Sequence, residues 1–422
     1  MPDPFAYRLS LAPEAEAFRP EIQHACDFLD GAHGLVRDGA AARVLHYGAE
    51  PPAGAHAVPA VVFPHLVRID AEGLHPDHAA LDAALADGTL ESDPLGLIFL
   101  MLSRLEERDA PHHDRMGRAR YTDALACRLG KGGEPLVDRA ARDLARALTG
   151  QLRDTATAYE VLVTHDVDRL RGYHRWWQPL RYAAGDAVKR RSPGLALRRL
   201  QDAYVAGHPW RSARALMDLS ESHGLQSRFY FMGPSNRASD SPYAVTMVPL
   251  LRAVAAEVAA RGHVIGFHPG FGTQTDPALW RSQRDGLEAI LDRPLDEGRQ
   301  HGLGYDAAVT PDIWDGAGMR LDSTLGYPES TGFRAGTTRR FAAYSLRERR
   351  RLSVQQLCTP VMDFGLFDRK YRNLDHDMAM AEAERAAAYC REFGGTLVLL
   401  NHAGQSDARI SRFFGELMAA VA

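Results

Sequence analysis

From Val161 onward, short apolar runs alternate with longer stretches at helical spacing, and this alternation restricts the chain more than any other feature. Strands separated by helical crossovers pair in parallel, with the helices covering the sheet. Seven runs read as strands: residues 161–164, 227–232, 264–267, 298–303, 319–324, 360–365 and 396–400. The helices between them are well punctuated. Residues 248–261 stop at Gly262, Asp276-Pro277 opens another helix, and 377–393 stop at Gly394-Gly395. The expected fold class is therefore α/β, with a distorted seven-stranded parallel (β/α) barrel over residues 156–422. Residues 1–155 read as a smaller mixed α/β accessory domain. In it, β-rich runs at 43–47 and 59–69 precede a helix opened by Asp93-Pro94 and running to about Arg108. A further helix near Pro135 carries Leu136, Ala140, Leu144 and Leu148 as one stripe.

Fifty Lys and Arg stand against 54 Asp and Glu, a net charge of -4, with 45% hydrophobic and 25% charged residues. That balance excludes a disordered chain, a collagen-like fibre and a generally basic nucleic-acid binder. The opening residues, with Asp3, Arg8, Glu14, Glu16 and Arg19, lack the pattern of a secretory signal. The longest strongly apolar run, 95–102, is far short of the ~20 residues that span a bilayer. Cys26, Cys127, Cys358 and Cys390 lie far apart, a spacing that fits neither a disulfide framework nor a thiolate zinc site. A reducing, cytoplasmic setting is expected. His112 and His113 beside Asp114 read as a polar loop, because adjacent side chains point apart.

Between the first two strands lies a basic insertion. Residues 169–214 hold eleven Lys and Arg against two Asp, a local charge of +9, together with Trp176, Trp177 and Trp210. Arginines among aromatics suit an anionic or sugar-containing ligand, with Trp176 a candidate contact. A solvated helical face would have the same composition.

The chemistry concentrates at strand ends. In Thr164-His165-Asp166-Val167-Asp168, alternation puts Asp166 and Asp168 on one face, at the carboxyl end of a parallel strand where active sites collect. Two such close carboxylates repel unless a cation or a shared proton intervenes. One can hold a metal while the other accepts a proton from water. His268 and His402 occupy the same position on two other apolar strands, 264–267 and 396–400. Arg334, flanked by small residues in Gly332-Phe333-Arg334-Ala335-Gly336, suits a carboxylate or phosphate, or braces its loop.

The order of these motifs resembles the polysaccharide deacetylase homology domain of carbohydrate esterase family four, over roughly residues 161–422. The resemblance implies a metal-dependent hydrolase of N-acyl groups on amino sugars. It implies Asp166 as general base, Asp168 and His268 as metal ligands, Arg299 as the residue orienting the base, and His402 as the acid that protonates the leaving amine. The family's second metal-binding His, four residues after the first, is here Gly272. His301 then becomes the candidate third ligand or a substrate contact. Asp322 is a candidate second partner of Arg299. The segments 322–327, 332–337 and 361–363 resemble a subgroup with an additional amino-terminal domain. The implied cofactor is a divalent metal, zinc foremost, and the implied partner a carbohydrate or small-molecule substrate, anionic if the insertion contributes. A nucleic acid and a membrane span are not expected. The alternatives are a catalytically inactive carbohydrate-binding or regulatory protein on the same fold, and a cyclic amide or imide hydrolase.

Overall fold

A computed structural model describes residues 3–110, 112–114, 117–152, 159–170, 177–201, 211–237, 239–403 and 408–422. Trp176 and Trp210 lie outside these residues. The protein is a mixed α/β structure, and its chain divides into two compact units that do not follow a single cut. One comprises Met1–Glu160, Gly302–Asn373 and Arg385–Leu397; the other comprises Val161–His301, Leu374–Glu384 and Val398–Ala422.

The first unit opens with a small parallel sheet in which Ala6–Leu11 pairs with both Val36–Arg37 and Val44–Tyr47, and the latter with His56–Val58. The helices Arg19–His33, Pro94–Ser103 and Leu136–Thr149 supply its apolar layer. The helix expected from Asp93-Pro94 starts there but ends at Ser103, because Arg104 adopts a left-handed conformation and a short 3-10 turn, Leu105–Glu107, follows. The run expected at 59–69 is not one strand: only Val67–Asp70 of it is extended, paired antiparallel with Gly73–Pro76. Two strands lie outside the seven predicted by spacing. Phe341–Ser345 runs antiparallel to Arg350–Cys358, which also pairs in parallel with Leu321–Leu325. Arginines in their connecting segment and at the start of the second strand, Arg350 and Arg351, hide a strand with buried alternate positions at Leu352 and Val354.

Buried carboxylates tie the early helices to the later segments of this unit. Asp138 accepts from Thr337 Oγ1 at 2.6 Å and from the Thr338 amide and hydroxyl at 2.8 Å. Asp93 caps its helix through the Gly96 amide at 2.7 Å and also accepts from Tyr47 Oη at 2.6 Å and from the Val61 and Val62 amides at 3.1 and 2.9 Å. Replacing Asp93 with Ala is expected to destabilise the protein by about 3 kcal/mol, since a lost cap costs ~1 and stranded buried donors ~1–3 more. The urea midpoint measures it, and a loss below about 1 kcal/mol would mean that the donors find other partners.

The second unit carries the strands that deliver the conspicuous residues. We label them β1 (Glu160–Val167), β2 (Ser227–Met232), β3 (Val264–His268), β4 (Glu297–Gly298) and β5 (Thr396–Leu400), in the sheet order β4-β3-β2-β1-β5. The β1–β2, β2–β3 and β3–β4 pairs are parallel, with Asp166 opposite Tyr230 and Met232 opposite His268. On the other side of β1, the Asn401 and Ala403 amides each donate at 3.0 Å to the Thr164 and Asp166 carbonyls. Parallel pairing in this register sets the carboxyl ends of β1, β3 and β5 at the same end of the sheet. The helices Val248–Ala260 and Pro277–Leu291 match their sequence signals, the second capped by Asp276 Oδ1 on the Leu279 amide at 2.9 Å. The fourth expected strand is cut to two residues, and the chain leaves it through Arg299 and Gln300 into the turn His301–Leu303, where Gly302 and Leu303 have positive φ. Among the described residues no helix is long and apolar enough to cross a membrane.

Candidate metal centre

Alternation along β1 sorts its last residues as their spacing requires. His165 turns into the core, fully buried, with its ring nitrogens 3.2 Å from the Asn401 carbonyl and 3.1 Å from Ser227 Oγ. Burial pushes its pKa down to about 3, so it is a neutral core histidine. Asp166 and Asp168 face the other way, together with His268 from the end of β3. His268 Nε2 lies 3.4 Å from Asp168 Oδ1 and 3.8 Å from Asp166 Oδ2, and His301 Nε2 lies 3.8 Å from Asp168 Oδ1. One ligand atom from each of Asp168, His268 and His301 falls within 4.8 Å of the others. Tetrahedral ligands held about 2.0–2.2 Å from a zinc ion stand roughly 3.3–3.6 Å apart. The carboxylate and two imidazoles therefore fit a divalent ion with little movement, and the donor set suits zinc and its first-row neighbours.

The two imidazoles are held from behind. His268 Nδ1 sits 2.6 Å from the Arg299 carbonyl, which makes Nδ1 the donor there and turns Nε2 toward Asp168. His301 Nδ1 is 3.4 Å from Asp240 Oδ1. Asp240 is itself pinned by Ser235 Oγ at 2.7 Å and by the Phe271 amide at 3.0 Å. The Phe271 ring packs on His301 with centroids 4.3 Å apart. Gln300 anchors the neighbouring loop by donating to the Gly270 carbonyl at 2.9 Å. Arg299, with no exposed surface, donates through Nη1 to Asp166 Oδ1 and to Thr164 Oγ1, both at 2.9 Å.

The electrostatics follow from this crowding. Burial opposes protonation of His268, but the facing Asp166 and Asp168 carboxylates outweigh it and hold its pKa above the ordinary value. Burial likewise opposes ionisation of Asp168, yet hydrogen bonding from His268 and the nearby His402, His301 and His268 charges keep its carboxyl well below the usual range. The Asp240 carboxyl is also lowered, by His301 and by the Phe271 and Ser235 donors, against the effect of burial. His402 is 8% exposed just beyond β5, close enough to act on Asp168.

A side chain at position 272 is disfavoured chiefly by the backbone. Gly272 has φ +80°, a left-handed conformation that strains any other residue, whereas the Arg237 guanidinium that a Cβ would meet is the movable end of a flexible side chain. His301 instead comes from another loop to within 3.8 Å of Asp168 Oδ1.

Two other candidates are occupied within the first unit. The Arg334 guanidinium, 1% exposed, is bound by Glu107 at 2.9 and 2.7 Å and donates to the Gly326 carbonyl at 3.3 Å, which is the arrangement of a loop brace. Asp322 is fully buried and accepts from the Thr324 amide at 2.9 Å and from Gln356 Nε2 at 3.3 Å. Trp176 lies outside the described residues. Sequence reasoning missed Asp240, which sits in an irregular segment before Ser241-Pro242 where no strand-end rule applies.

Residues 58–153 match the model of a family described as of unknown function, DUF7033. No curated protein sequence matches the chain. Among solved structures, the chain is similar to one described as a "putative polysaccharide deacetylase from Mycobacterium smegmatis", at 18% identity and a TM-score of 0.41, over 63% of this chain and 86% of that one. It is also similar to a mutant of a CE4 family pseudoenzyme with restored enzymatic activity, at 8% identity and a TM-score of 0.33, over 63% of both chains.

Proposed function

We propose that this chain is a metal-dependent amide hydrolase that removes an N-acyl group, N-acetyl foremost, from an amino sugar or sugar-containing precursor in the cytoplasm. The observation that carries this reading is the convergence of Asp168, His268 and His301 within 4.8 Å, with Asp166 beside them on the same face of β1. Three protein ligands and an open position are the pattern of catalytic rather than structural zinc sites. The order of the strand ends that supply them, resembling that of polysaccharide deacetylases, supports the choice of bond.

A divalent cation bound there supplies polarisation of the acyl carbonyl and acidification of water. Asp168, His268 and His301 bind that cation. Asp166 Oδ2, on the His268 side, takes the proton of the attacking water, while Arg299 and Thr164 fix the orientation of its other oxygen. His402 donates a proton to the departing nitrogen as the carbon–nitrogen bond breaks, leaving a carboxylate and a free amine.

The test is metal analysis of the full chain joined to an assay of acetate release from N-acetylglucosamine oligomers and a nucleotide-linked N-acetyl sugar. Near one equivalent of metal and metal-dependent release support the proposal. Tight sugar binding with no bound metal would favour an inactive carbohydrate-binding protein instead, the reading that Gly272 motivates.

Asp240 should tune the same centre. Asp240→Asn weakens the acceptor that orients His301, and outer partners of metal-bound histidines are worth about 10–100-fold in metal affinity. Competition with a chromogenic chelator measures this, and unchanged affinity would remove Asp240 from the site.

A further inference from the structure

The basic insertion presents an apolar stripe to solvent. Its first described helix, Gln178–Val188, packs against the following helix Pro193–Leu200, burying Pro179, Ala183 and Asp186. Trp177, Leu180, Ala184, Ala187 and Val188 all stay exposed, and at 100° per residue they fall within an arc of about 100°. A stripe of this kind normally faces a core. Here Trp177 is 37%, Leu180 48% and Val188 76% exposed, and Leu195 and Leu197 of the next helix are 38% and 58% exposed. Among the described residues, ten large apolar side chains are exposed in this way and six of them lie between 177 and 197, three of these, Trp177, Leu180 and Val188, on the stripe itself.

The same segment is rich in positive charge. Residues 177–201 contain Arg181, Lys189, Arg190, Arg191, Arg198 and Arg199 against one carboxylate, Asp186, which is buried and lies 3.2 Å from Arg190. Basic residues around an exposed apolar stripe with Trp at its edge match the chemistry of a lipid surface: the acyl boundary takes the apolar groups and anionic headgroups take the cations. We propose that this helical pair seats the protein peripherally on an anionic phospholipid bilayer. The +9 charge of residues 169–214 in a chain of net charge -4 argues for that partner over a second copy of the chain, whose matching patch would repel it.

Co-sedimentation of the full chain with vesicles tests the proposal, using phosphatidylcholine alone and phosphatidylcholine with roughly one-third phosphatidylglycerol. Binding should be at least ~10-fold stronger to the anionic vesicles and should fall as salt rises from about 0.1 to 0.5 M. The double variant Leu180→Asp, Val188→Asp should lose at least ~10-fold of that binding with an unchanged far-UV spectrum, because both side chains are already in water. Leu180→Ser, Val188→Ser serves if the charged pair disturbs folding. Brominated acyl chains should quench tryptophan emission in the wild type, and Trp177→Phe should remove much of that quenching. Failure to sediment with anionic vesicles, equal binding to both vesicle types, or a double variant that binds like the wild type would overturn it. So would a wild-type dimer that the double variant splits, since the stripe would then belong to a second copy.

Discussion

Replacing Asp166 with Asn is expected to lower kcat on an N-acetyl sugar by about 10²–10⁴-fold, the usual contribution of a positioned general base, while cation affinity stays within about tenfold of the wild type. The separation follows from geometry. Asp168, His268 and His301 form the proposed ligand cluster, whereas Asp166 stands 3.8 Å from His268 Nε2 with its other oxygen committed to Arg299 at 2.9 Å. Asn keeps one oxygen for Arg299, but its amide cannot take a proton from water. The substitution also strips charge compensation from a fully buried guanidinium, at a cost of roughly 1–3 kcal/mol. Turnover and metal content should therefore be compared well below the variant's melting temperature. Full activity in a folded, metal-loaded Asp166→Asn protein would refute the base assignment. Loss of metal together with activity would instead make Asp166 a ligand.

Cation binding is expected to vanish in His268→Ala, with a loss beyond the ~10–100-fold attached to outer partners, and in the wild type to strengthen with rising pH. The carboxylates facing His268 hold its pKa above the ordinary value, so a cation must displace a proton from it until the pH exceeds that raised pKa. Below it, each pH unit should cost about tenfold in apparent affinity. The stability of the cation-free protein carries the same signature. Because the folded pKa of His268 is raised, its contribution is complete below the ordinary histidine value and is lost as pH rises through the raised one. Asp168, with a lowered folded pKa, contributes above the ordinary carboxylate range and loses that contribution as pH falls toward its folded value. The cation-free protein should thus gain from this pair in mildly acidic solution and lose the gain on the alkaline side, where bound cation restores it. Thermal melts with and without chelator across pH 5 to 9 read the effect. A chelator-treated protein whose melting temperature rises steadily through that range would contradict the sign.

Much of the candidate site was legible before any coordinates. A period of two along an apolar run is enough to separate Asp166 and Asp168 from His165, and the structure shows His165 in the core and the two carboxylates together. A histidine directly after an apolar strand is likewise a local signal, and parallel pairing carries β3 and β5 to the same sheet end as β1. Arg299 was reached through a family likeness, and its contact with Asp166 depends on a side chain crossing from β4 past its neighbours. Asp240 had no signal at all, since its place behind His301 arises from loops that meet only after folding.

Local rules also misjudged extent. Strand length at 298–303 is limited by the left-handed Gly302 and Leu303, and the arginines between 339 and 351 conceal two strands, the first buried throughout and the second exposed at its arginine-bearing start. Residues 302–373 join the amino-terminal unit because carboxylates such as Asp138 and Glu107 are satisfied by donors about 200 residues away. Periodicity and capping are read over a few consecutive residues, so they establish which segments form strands and helices and which side chains share a face. Which distant segments satisfy one another's buried charges, and which loop histidine reaches a carboxylate on β1, depend on burying groups that cannot remain unpaired. That requirement acts only on the assembled chain.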